Sequence, residues 1–69
     1  MNTIKITKIN SWNNETLFHA TDGKKTIPFN TTLIKDKIGN LYRVECSFKG
    51  SFETYTMANV KAKIVSYFN

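Results

Sequence analysis

The chain is poor in the residues that chemistry most often needs. It holds one cysteine and one histidine, so no internal disulfide forms and no four-ligand zinc set of Cys and His exists. Its five Asp and Glu show no paired spacing, and His19 has no acidic or nucleophilic residue at a fixed spacing beside it. The three glycines stand apart and make no phosphate-cradling loop. These absences argue against an enzyme and against a bound metal or cofactor. No apolar run approaches the length of a membrane-spanning helix, and the opening Met1-Asn2-Thr3-Ile4-Lys5 lacks the apolar core of a secretory leader. The expectation is a soluble, cytoplasmic protein with no membrane partner.

What is present is charge of one sign. Ten Lys and Arg against five Asp and Glu leave a formal net charge of +5 on 69 residues. That length makes a single domain, 1–69, near the lower limit for a core that folds unaided. A positive field on so small a surface favours polyanions, nucleic acid first and acidic protein surfaces or anionic lipid second. The same charge also serves solubility.

Alternation dominates the pattern. Tyr42, Val44, Cys46 and Phe48 fall on one side at period two, with Leu41, Arg43, Glu45 and Ser47 on the other. This is the mark of a strand buried on one face, and it makes Cys46 a small core residue rather than a nucleophile. Lys49-Gly50-Ser51 supplies a tight link, and Val60, Ala62 and Ile64 alternate with Asn59, Lys61 and Lys63 in what reads as the last strand. Earlier, Ile4 and Ile6 alternate with Lys5 and Thr7 until Ile9 breaks the phase, which predicts a β-bulge. Glu15 to Asp22 reads as a second strand, with Phe18 and Ala20 on one face and Leu17, His19 and Thr21 on the other. Asp22-Gly23 is a hairpin signal. A third strand follows to Asn30, and Pro28 predicts that it lies at an edge or ends there, because proline donates no ladder bond. Between Thr31 and Asn40 the spacing of Leu33, Ile34 and Ile38, a capping Thr31 or Thr32 and Gly39 predict a short helix.

Three strands, a helix and two more strands resemble the OB-fold, the five-stranded Greek-key barrel of many oligonucleotide-binding modules. The features that carry the likeness are the bulged stretch Ile4 to Ile9, the Asp22-Gly23 hairpin, the capped segment Thr32 to Gly39 and the link Lys49-Gly50-Ser51. It is a likeness of element order, with no motif of its own. The fold class expected is all-β: a small OB-like barrel with one short helix between strands 3 and 4. An SH3-like barrel is the alternative, and the helix position favours the first.

The resemblance implies a binding surface on the outer face of the second and third strands, flanked by the first loop and the last link. On it fall Trp12, His19, Lys24, Lys25, Arg43, Lys49, Phe52 and Tyr55. Rings that stack on bases beside cations that track phosphates hold single-stranded nucleic acid. The function expected is therefore binding of single-stranded DNA or RNA with little sequence preference. Several of these residues have plainer readings: Trp12 as a lid over a barrel end, Phe52 and Tyr55 as core, His19 as a solvated strand residue. Lys61 and Lys63 read as edge protection, and Tyr67 and Phe68 as closing the barrel or forming a homodimer contact. The alternative function is a β-barrel interaction module that meets an acidic protein through the same charge and aromatics.

Overall fold

The computed structural model describes residues 3–47 and 49–68. Five strands, β1 (Lys5–Trp12), β2 (Glu15–Thr21), β3 (Thr26–Lys35), β4 (Asn40–Cys46) and β5 (Gly50–Thr54), precede one helix, α1 (Met57–Ser66). The strands form one antiparallel sheet in the order β1-β2-β3-β4-β5, each beside its sequence neighbour. The protein is mostly β. Its strand order contains no Greek-key crossover, and the pairing leaves β1 and β5 as the two edges. The helix follows the fifth strand instead of standing between the third and the fourth, so the expected element order is not the one observed.

Several local expectations hold. Lys8 pairs with Phe18 and Asn10 with Leu17, so Ile9 is the extra residue of a bulge. β2 and β3 turn at Asp22-Gly23, where Asp22 Oδ1 accepts the backbone N–H of Lys24 (2.9 Å) and Lys25 (2.8 Å). Val44 and Cys46 are buried on the inward face of β4. Phe48, read as their inward companion, lies outside the described residues.

The helix expected between strands 3 and 4 is strand and turn instead. Ile27, Phe29, Thr31 and Leu33 keep one period-two face through the predicted cap, with Ile27, Phe29 and Thr31 buried. β-branched Thr31, Thr32 and Ile34 suit a pleated surface better than a helix interior. The remaining four residues form a second Asp-headed loop. Asp36 Oδ1 accepts from Ile38 N (2.9 Å) and Gly39 N (3.0 Å), as Asp22 does in the first.

Pro28 is likewise not at an edge, since β3 is the central strand. Its missing donor still costs no ladder bond. Leu33 N donates to Asn14 O on the β2 side (2.8 Å), so by alternation the even-numbered residues of β3 turn toward β4. Pairing with β4 stops at Phe29–Cys46, one residue short of Pro28.

The last strand expected over Asn59 to Ile64 is α1. Thr56 caps it, accepting from Asn59 N at 3.1 Å. Met57, Val60, Ile64 and Tyr67 recur at helical spacing on the face that meets the sheet, with Val60 and Ile64 fully buried. Ten residues are too few for a stable isolated helix, so α1 depends on this packing. Each of those two side chains contributes about 1.5–3 kcal/mol by leaving water. From the sheet, Ala20, Phe29, Val44 and Cys46 complete the core, with Phe18 stacked on Phe29 at 5.1 Å between ring centroids.

Candidate nucleic-acid interface

The meander separates the loops into two ends. The β2–β3 loop, the β4–β5 link and the start of β1 lie at one end; the β1–β2 and β3–β4 turns lie at the other. β2 alone spans about 20 Å between them, at roughly 3.3 Å per residue. Asn59 Nδ2 donates to Thr54 Oγ1 at 3.2 Å, which anchors the start of α1 beside the end of β5. From there α1 runs back, and its C-terminal Tyr67 and Phe68 arrive at the first end.

Lysines from three elements meet those rings. Lys25 Nζ of the β2–β3 loop lies 5.5 Å from the Phe68 centroid. Lys49 Nζ of the β4–β5 link is 5.8 Å from the Tyr67 centroid, and Lys63 Nζ of α1 is 5.9 Å from it. These are cation–π distances. Lys24 sits in the same loop as Lys25. The nearby carboxylate of Asp22 is held below the ordinary range by the backbone N–H groups of Lys25 and Lys24, so it is committed to the turn. Burial pushes the hydroxyl of Tyr67 up, keeping that ring neutral.

The open face of the sheet, away from α1, is different. Paired residues share a face, so Trp12, His19 and Arg43 do lie there together, but with Glu15, Glu45 and Glu53 against Lys5 and Arg43 as the charged groups. Arg43 is further spent on Glu53, Nε to Oε2 at 2.8 Å. Among the described residues this is the only ion pair within 4.0 Å, so no described lysine is paired with a described Asp or Glu. The positive charge belongs to the loops and the helix side, where Lys8, Lys24, Lys25, Lys35, Lys37, Lys49, Lys61 and Lys63 face only Asp22 and Asp36.

The structure thus divides the residues singled out from sequence. Lys24, Lys25 and Lys49 share the aromatic end. Trp12, 43% exposed, closes β1 at the far end. Tyr55 is also at the far end, where its hydroxyl donates to Asp36 Oδ2 at 2.7 Å. That bond holds Asp36 below the usual carboxylate range and pushes Tyr55 up. His19 is half-buried on the open face, paired with Pro28 and Thr7. Phe52 points to the helix side and packs on the core. Lys63, Tyr67 and Phe68 join the lysine end without having been candidates for it. The signal that finds them is the helical spacing from Met57, which fixes where Tyr67 and Phe68 return.

No helix is long and apolar enough to cross a membrane among the described residues. No family model, curated protein or solved structure matches the chain.

Proposed function

We propose that the chain binds single-stranded nucleic acid at the end where Lys25, Lys49 and Lys63 surround Tyr67 and Phe68. One observation carries this reading: three lysines, supplied by two loops and a helix and paired with no described Asp or Glu, converge on two adjacent rings. Phosphates offer those ammonium groups a stronger partner than a ring face. The rings, only half-buried, then present surface to an unstacked base. A duplex keeps its bases stacked on each other and gains only the charge attraction, so a single strand is preferred. Stacking and charge attraction serve any base, which leaves sequence preference low. The proposal requires this end of the sheet and helix; it does not require a closed barrel.

The test is fluorescence anisotropy of a labelled thymidine oligomer of about 15 nucleotides, titrated across a range of salt. Three or four phosphate contacts predict a slope of log K against log salt of about −2 to −3. Binding that persists at physiological salt with that slope supports the proposal. Absence of binding at low salt rejects it and transfers the lysine end to the alternative partner, an acidic protein surface.

A further inference from the structure

We propose that β5 is a self-pairing edge, through which two copies of the chain join their sheets about a two-fold axis at Phe52. The two edges of the sheet are built differently. β1 carries Lys5, Lys8 and the bulge at Ile9, devices that keep an edge from pairing. β5, Gly50-Ser51-Phe52-Glu53-Thr54, has no lysine, no proline and no bulge, and its one charge is neutralised by Arg43.

A sheet with one open edge closes at two copies, because a symmetric pairing consumes that edge in both. The register follows from the ladder. Even-numbered residues of β3 turn toward β4, so Arg43 and Glu45 turn toward β3 and Val44 turns toward Phe52. Ser51 and Glu53 therefore direct their N–H and C=O outward. Antiparallel pairing centred on Phe52 sets Ser51 of each copy opposite Glu53 of the other, where they exchange both backbone bonds. No like charges face each other across that ladder, since each glutamate meets a serine.

The helix fits the same axis. At about 1.5 Å per residue the ten residues of α1 span about 15 Å, the length of the five-residue β5 at about 3.3 Å per residue. Its midpoint therefore falls beside Phe52. A groove of about 510 Å³ lies between the two elements, lined by Phe52, Glu53 and Thr54 of β5 and by Asn59, Ala62, Lys63 and Ser66 of α1. Ala62 is the mid-helix residue there, small enough for a second α1 to approach closely.

A standard interface takes about 800 Å² per partner, roughly a sixth of the 4841 Å² surface; β5 and α1 together make up fifteen of the 69 residues. The single-copy core also has room for such help. Its buried apolar side chains are Ala20, Ile27, Phe29, Val44, Cys46, Val60 and Ile64 alone among the described residues, and domains this small commonly gain stability by assembly.

The experiment is light scattering coupled to size exclusion at high micromolar concentration, without nucleic acid, so that it is independent of the binding proposal. The expected mass is twice 7.9 kDa. Ala62→Lys sets two lysines against each other at the axis while leaving an exposed helix position intact, and it gives a monomer with an unchanged circular dichroism spectrum. Ser51→Pro removes an outward donor without touching the β4 ladder and has the same effect. A single-copy mass for the unaltered chain overturns the proposal. So does a dimer that survives both substitutions, or an open-ended polymer.

Discussion

Ile64→Ala lowers the free energy of unfolding by about 2–5 kcal/mol, the range for emptying an aliphatic core position. A chain of 69 residues at roughly 0.05–0.15 kcal/mol per residue has only about 3–10 kcal/mol in total, so the variant is close to unfolded at room temperature. The effect is large because Ile64 and Val60 are the two fully buried residues of α1. Losing one removes half of the fully buried packing that holds a ten-residue helix. Urea unfolding followed by circular dichroism reads both the midpoint and the helical signal. Val65→Ala, at an exposed position of the same helix, is the control and shifts stability by no more than about 0.5 kcal/mol. Equal losses for the two variants would mean that α1 does not present Ile64 to the sheet.

The second large effect concerns binding. Replacing Lys25, Lys49 and Lys63 together by alanine removes the cations that surround Tyr67 and Phe68. At about 0.7 of a released counterion per phosphate contact, the salt slope falls by about 2. Affinity at low salt drops by at least about tenfold, equivalent to about 1.4 kcal/mol. Trp12→Ala, at the opposite end of the sheet, leaves affinity and slope within about twofold. The folded state tolerates all of these changes because every altered side chain is exposed. A loss for Trp12→Ala equal to that of the lysine variant would move the binding surface to the open face.

How much of this was legible in the sequence depends on whether the signal was local. The bulge at Ile9, the turn at Asp22-Gly23 and the burial of Val44 and Cys46 each follow from a phase or a turn within a few residues, and each is observed. Segment 31–40 misleads because Leu33, Ile34 and Ile38 fit helical spacing while Ile27, Phe29, Thr31 and Leu33 fit strand spacing. Only the longer window separates them, and the β-branched residues point the same way. The segment after Thr56 misleads in the opposite sense. Val60, Ala62 and Ile64 satisfy period two, yet Val60 and Ile64 are also one helical turn apart, and alanine sits comfortably on either face. Met57 before them, Tyr67 after them and the capping Thr56 resolve the ambiguity toward helix.

The candidate site was half legible for a related reason. Lys24, Lys25 and Lys49 announce themselves as loop cations, and loop positions survive an error in topology. Their aromatic neighbours do not. Tyr67 and Phe68 reach those loops only because α1 turns back along the sheet from Thr54, and reading that segment as the last strand gives no such path. Trp12 and Tyr55 drew attention as exposed rings near polar turns, but the strand lengths place them about 20 Å from the lysine end.

The most direct test of the account is a map of backbone amide shifts by nuclear magnetic resonance as a thymidine oligomer is added. Shifts are expected to concentrate at Lys24 and Lys25, at Lys49 and Gly50, and from Lys63 through the end of α1 to Tyr67 and Phe68. Trp12, His19 and Arg43 stay where they were. Shifts concentrated on those three residues, with the lysine end unmoved, would contradict it.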